Sequence, residues 1–178
     1  MVIFTRPVFA YGNFVHETME FVGYILVICC VFGRIFSSVF IGGYKNDRLV
    51  MHGPFSVVRN PLYCSTLMGV LGLSLCSGHA LIVVLLFAVF MVTYHFLIRR
   101  EEDYLLSEFG EPYREYMERT PRLIPNFSLY KAPEEIVTKP RFVANACMDA
   151  VWWFVAFPAF ELIDYLHEIQ LIPTVNLF

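Results

Sequence analysis

Apolar residues fall in long blocks separated by short polar stretches, with little of the one-sided periodicity of a soluble helix. The first block runs from about Met19 to Ile41, with Arg34 its only charge after Glu20. An off-centre arginine there either snorkels to the surface or faces the bundle interior. Residues 1–18 mix Phe, Tyr and Val with Arg6, His16 and Glu17, which suits an interfacial lead-in. A polar connection ends at Asn60, and Pro61 to about Ser77 forms a second block, followed by His79 to Ile98. Only Ser77-Gly78 separates these two, so they form an antiparallel pair. Asn60 suits an N-cap and Pro61 the first helical position. Gly69 and Gly72 would let a neighbouring helix approach closely. The third helix is expected to continue to Phe109, with Gly110 as its stop and Pro112 to Pro121 bounding a short further helix. A last apolar block, 142–166, carries Asp149, Pro158, Glu161 and Asp164. A tilted or kinked membrane helix fits it better than a surface helix.

The pattern predicts an all-α polytopic membrane bundle of about four transmembrane helices, forming one domain over residues 1–178. Composition agrees: 57% of residues are hydrophobic and 16% charged, against about 25% charged in soluble domains. Mean hydropathy is +0.58. A soluble enzyme and a disordered chain are thereby excluded, and a net charge of -3 gives no sign of nucleic-acid binding. The five cysteines (29, 30, 64, 76 and 147) include no C-x-x-C pair and read as buried small side chains. The five histidines are scattered, so no metal is expected. No basic segment, apolar run and small-residue cleavage site open the chain, so no signal peptide is read.

Charge placement sets the expected orientation. Of the 13 Lys and Arg residues, 11 lie in segments 44–60 and 99–141. By the positive-inside rule both are cytoplasmic, and they hold nearly every candidate chemical group. On a helix Glu102 shares a face with Leu105, Leu106 and Phe109. A carboxylate on an apolar stripe requires a partner. Arg99 or Arg100 could neutralise it locally; alternatively one or both of Glu101 and Glu102 hold a polar ligand, and the spacing favours Glu102. In HGPFSVVRNPLY, a surface turn and a helix start explain Gly53, Pro54, Asn60 and Pro61, but not Arg59 and Tyr63. Spacing brings His52, Arg59, Tyr63, Glu101 and Glu102 to one interface, where an amphiphilic substrate could meet a water-soluble cofactor.

GPFSVVRNPLY, followed about 40 residues later by IRREEDYLLSEFGEPYREYMERTPRLIP, resembles the isoprenylcysteine carboxyl methyltransferase and phospholipid methyltransferase family of membrane enzymes. Gly53, Pro54, Arg59, Pro61, Tyr63, Glu101, Glu102, Leu105, Phe109, Gly110, Tyr113, Tyr116, Arg122 and Pro125 match its pattern in order, over about residues 49–127. The resemblance implies S-adenosylmethionine-dependent methyl transfer, with a cytoplasmic cofactor pocket. Carried over, His52, Gly53, Asn60, Pro61, Tyr63, Glu101 and Glu102 become cofactor-binding candidates. Arg59, Arg100 and Glu102 become the catalytic candidates, the arginines orienting the cofactor carboxylate or an anionic substrate. Tyr113 and Tyr116 are either lid residues or packing. Two departures stand out. The family's usual His after the arginine is Asn60 here, which removes a proton acceptor near neutrality. The chain also adds about 50 residues after the R-x-x-P element, which wall the substrate entrance or make a homodimer contact.

The resemblance implies a lipophilic acceptor drawn from among the membrane lipids: the carboxylate of a prenylated cysteine or a similar lipid-borne group. Three alternatives stay open. They are a phospholipid amine acceptor, an NADPH-dependent sterol-type reductase, and a non-catalytic membrane scaffold.

Overall fold

A computed structural model describes residues 13–42, 48–77 and 80–169. Most of the expected lead-in, part of the polar connection after Gly42, and part of the Ser77-Gly78 turn therefore lie outside the described residues. Within them the protein is all-helical. Helix α1 spans Phe14–Ile41, starting five residues before the predicted Met19. The side chain of Asn13 accepts a hydrogen bond from the Val15 amide at 3.1 Å, and this cap sets the start. At the other end Gly42, at φ 58°, takes the left-handed conformation, and its N–H donates to the Ser38 carbonyl. A single turn, α2 (Pro54–Val57), precedes α3 (Pro61–Cys76). Helix α4 (Ala80–Phe109) runs unbroken from the apolar block through the charged one and ends at Gly110, also at positive φ. Helix α5 covers Glu111–Arg119, a 3-10 turn Phe127–Leu129, and α6 Pro140–Glu168, which continues through Pro158.

Pro61 occupies the first turn of α3 as expected, but Asn60 does not cap it with its side chain. Its amide instead donates to the Arg122 carbonyl at 3.1 Å. The backbone of Asn60, at φ -121° and ψ 61°, departs from the extended conformation typical of a cap.

The core is an antiparallel pairing of α1 with α3, with α6 against both. Small residues let the backbones touch. A Cβ on Gly72 would stand 2.6 Å from the Gly23 carbonyl, and one on Gly23 would stand 2.7 Å from the Gly72 carbonyl. Near Gly69 lie the Cys30 sulfur and the Trp153 ring of α6. The close approach expected of Gly69 and Gly72 is thus realised, with Gly23 as the partner on α1.

Helix α4 contrasts with this core. Leu81, Val84, Val92 and Phe96 are all more than 60% exposed. A helix that shows large apolar side chains so widely needs an apolar solvent. Together with the apolar length of Phe14–Ile41 and Leu81–Phe109, this makes the chain a membrane protein. The expected four spans correspond to four helices, of which these two have the length and apolarity to cross a bilayer. Helix α3, at 16 residues, rises about 24 Å, short of the roughly 30 Å hydrocarbon core.

Candidate functional site

The C-terminal ends of α1 and α4 and the N-terminal ends of α3 and α6 meet at one end of the bundle. Lys139 N–H donates to the Gly42 carbonyl, tying α6 to α1. Tyr63 of α3 donates its hydroxyl to Glu101 Oε2 of α4 at 2.6 Å. The two polar segments flanking the apolar pair therefore lie together, as the short Ser77-Gly78 link predicts.

A strap formed by residues 120–131 crosses this end and is clamped to segment 53–64. The Pro121 carbonyl accepts from Arg59 N–H at 2.8 Å, and the Val57 carbonyl from Asn126 N–H at 3.0 Å. Gly53 N–H donates to the Lys131 carbonyl at 2.7 Å, and Lys131 N–H to Ser56 Oγ at 2.9 Å. The Cys64 thiol donates to the Leu123 carbonyl. Gly53 is required here: its φ is 60°, and the Phe40 ring occupies the space a side chain would need.

Beneath the strap sits a buried charge cluster. Glu102 is 5% exposed. Arg59 Nη2 lies 3.2 Å from its Oε1. Arg122 grips it with both edges of its fork, Nε to Oε1 at 3.3 Å and Nη2 to Oε2. Arg59 Nη1 donates to the Met117 carbonyl at 3.0 Å. The Glu102 partners thus come from distant segments, while the neighbouring Arg99 and Arg100 are exposed. Two cations around one anion hold three segments in fixed register; Arg59 and Glu102 are buried, whereas Arg122 remains 40% exposed and keeps part of its contact with solvent.

Beside the cluster lies a cavity of about 140 Å3, opening to about 780 Å3 with its mouth included. Arg59, Asn60, Pro61, Tyr63 and Glu101 line it, with Arg48, Phe55, Tyr113 and Tyr116. One donor is unused: Arg59 Nε is buried and has no hydrogen-bond partner. Tyr113 and Tyr116 are nearly fully buried. Tyr116 donates its hydroxyl to the Phe55 carbonyl at 2.7 Å, so it is fixed packing as well as cavity wall. Burial pushes the Tyr113 phenol up from 10 to about 12; the Glu102 carboxylate adds to the rise and the Arg59 guanidinium opposes it. Tyr116 is raised too, mainly by burial and then by Tyr113.

Of the cofactor-binding and catalytic candidates from sequence, five therefore share one cavity, Arg59, Asn60, Pro61, Tyr63 and Glu101, together with the lid-or-packing residues Tyr113 and Tyr116. Glu102 is brought to the same place but is enclosed by two arginines, and Glu101 is the acid that lines the cavity. His52 sits against Phe40, 6.0 Å between ring centroids, and Gly53 is buried under the strap. Neither lines the cavity. Arg100 is exposed on α4 and does not line it either. Sequence reasoning left Arg122 out of the site, although it lay in the matched R-x-x-P element.

The model of the phospholipid methyltransferase family matches residues 18–112, slightly more than half of the 178 residues. The chain belongs to that family. Among relatives, a cobalt-zinc-cadmium resistance protein, CzcN, of Cupriavidus metallidurans is 31% identical over 88% of this chain and 72% of its own length. A nickel-cobalt-cadmium resistance protein, NccN, of Alcaligenes xylosoxydans xylosoxydans is 28% identical over 86% of this chain and 71% of its own. A protein-S-isoprenylcysteine O-methyltransferase of Schizosaccharomyces pombe is 31% identical over 52% of this chain and 40% of its own. No solved structure gives a significant match. Among the described residues, no three His, Cys, Asp or Glu side chains gather as a metal ion needs.

Proposed function

We propose that this family member transfers a methyl group from S-adenosylmethionine to a lipophilic acceptor at the strapped end of its helix bundle. The observation that carries the reading is the unpartnered, buried Arg59 Nε in the wall of a cavity that also presents Glu101 and Tyr63. A buried guanidinium donor without an acceptor calls for a ligand oxygen. The donor set fits S-adenosylmethionine: Arg59 suits its carboxylate, and Glu101 its hydroxyls or amine. Small-molecule sites span roughly 300–1,000 Å3, so a ligand of this size fills the enclosed part and extends into the mouth.

When bound, the cofactor supplies an electrophilic methyl on a sulfonium. The chain's own residues bind and position. Glu102 holds Arg59 in place, the strap and Tyr113 exclude water, and the phenol of Tyr63 orients the Glu101 carboxylate. In-line displacement depends on such positioning and needs no covalent nucleophile on the protein. A carboxylate acceptor, such as that of a prenylated cysteine, arrives ionised and needs only a cation; Arg48 and Arg59 line the cavity. A lipid amine is the second reading, because Glu101 in the cavity wall is placed to take its proton. The acceptor enters from the membrane and the cofactor from the polar side, which positive-inside charge makes cytoplasmic.

Calorimetry with S-adenosylhomocysteine is the test. The expected result is binding by the wild type and at least tenfold weaker binding by Glu101→Ala. Binding of NADPH instead, or of neither ligand, overturns the proposal. Incubation with labelled S-adenosylmethionine and lipid extract then identifies which molecule takes the label.

A further inference from the structure

Arg122 and Leu123 of the strap share a small cavity, about 40 Å3, with Phe90, Met91, Tyr94 and Ile98 of α4. The apolar run of α4 ends at Ile98, just before Arg99. The strap therefore lies beside the last two apolar turns of the helix, roughly 12 Å of its length, and not beyond them. At this level α4 shows Val92 and Phe96 to lipid, 61% and 67% exposed. Ile124 and Phe127 of the strap are 82% and 78% exposed, more than either. Both border one open groove, whose other wall includes Glu118 and Arg119 at the end of α5. Large apolar side chains on one face, beside a charged rim, match the boundary between hydrocarbon and headgroups.

The polar groups of the strap are arranged as lipid demands. Irregular backbone persists at membrane depth only where protein satisfies its hydrogen bonds. Pro121 and Pro125 carry no N–H. The Pro121, Arg122 and Leu123 carbonyls accept from Arg59 N–H, the Asn60 amide and the Cys64 thiol. Asn126 N–H donates to the Val57 carbonyl, and Leu129 and Tyr130 N–H to the Asn126 and Phe127 carbonyls. Ser128 Oγ donates to Asn126 Oδ1 at 2.7 Å, so these exposed polar side chains pair with each other. Residues 120–130 contain one charge, Arg122, and Glu102 neutralises it. Polar groups are thus met within the protein while Ile124 and Phe127 face outward. We infer that this face of the strap is seated in the bilayer interface, with Ile124 and Phe127 among the lipid chains, continuing the lipid-facing surface of α4. Arg122 precedes Ile124 by two residues, so the same contact seats the segment that grips Glu102. This inference is independent of the methyl-transfer reading.

The test uses the full chain in phosphatidylcholine nanodiscs doped with a phosphatidylcholine that carries a diazirine near the carboxyl end of one acyl chain. After irradiation, peptide mass spectrometry locates the adducts. Adducts are expected on Ile124 and Phe127 at yields comparable to that on Phe96. Tyr104 of α4, 46% exposed but past the charged Arg99 and Arg100, is expected to stay unlabelled. A strap free of adducts while Phe96 is labelled overturns the inference. Labelling of Tyr104 as strong as that of the strap also sinks it, because the probe then reports exposure and not depth. A folded variant carrying Ile124→Ser and Phe127→Ser is expected to lose labelling of the strap and keep that of Phe96. Undiminished strap labelling in that variant counts equally against the inference.

Discussion

Around Gly23 and Gly72, α1 and α3 touch through bare backbone, with the Cys76 sulfur filling the gap beside them. Beyond the other end of α3, around Arg59 and Glu102, the same bundle is held by guanidinium, carboxylate and main-chain hydrogen bonds. The first region is shape alone. Between apolar helices in an apolar solvent no hydrophobic gain distinguishes helix from lipid, so close packing of small residues does the work. The second is a polar network in which each group has a named partner, apart from Arg59 Nε. The difference shows where the molecule tolerates a ligand. Around Gly23 and Gly72 the seam has no space for a ligand, whereas the clamp stands beside a cavity that Arg59 lines.

Removing the anion from the clamp should do the most damage. Glu102→Ala leaves two guanidinium groups facing each other, and breaking a buried pair costs about 3–5 kcal/mol. Thermal unfolding in detergent, followed by circular dichroism, should show a large loss, partly recovered by adding Arg122→Ala. No recovery would mean that the cluster does not act as a charge-balanced unit.

Gly72→Leu attacks the seam instead. Overpacking costs about 1–3 kcal/mol, and the nearest atom is the Gly23 backbone carbonyl, which cannot move aside easily. The expected loss is at the upper end of that range. The folded fraction should still bind S-adenosylhomocysteine with unchanged affinity. Weaker binding at unchanged stability would erase the distinction between the two regions.

A smaller effect is expected at Tyr113 and only in alkali. Its phenol ionises near 12 when folded and near 10 when unfolded. The raised value contributes stability that is complete below pH 10 and disappears as pH rises from 10 to 12. Tyr113→Phe should therefore flatten the alkaline fall in stability and leave the neutral range alone. A steeper fall would reverse the sign of this argument.

Least affected should be Leu85→Ala on the outer face of α4, where the side chain is 56% exposed. A change of no more than about 0.5 kcal/mol is expected in the same unfolding assay. A loss comparable to that at Gly72 would show that α4 packs against protein rather than lipid.

Much of this was legible in the chain. Hydropathy marked the helical blocks, two of them long and apolar enough to span, because an apolar run in a membrane must satisfy its backbone hydrogen bonds internally. Gly110 and Pro61 marked ends for steric reasons that are local. The short link between α3 and α4 forced their polar ends together, and so Arg59, Tyr63 and Glu101 were found. Asn13 as a cap was missed, since the polar lead-in masked a helix start.

The partner of each charged group was beyond reach of the sequence. Glu102 had arginines two and three positions before it, yet its charge is met by Arg59 and Arg122, 43 and 20 residues away along the chain. Which carboxylate is enclosed and which faces the cavity depends on the strap, a segment without an apolar period, held by main-chain hydrogen bonds. Periodicity and composition determine which stretches become helices and which solvent they prefer. Pairing of buried charges and the presence of a free donor are long-range contacts, and only the assembled tertiary structure decides them, because each depends on the distance between side chains from separate segments.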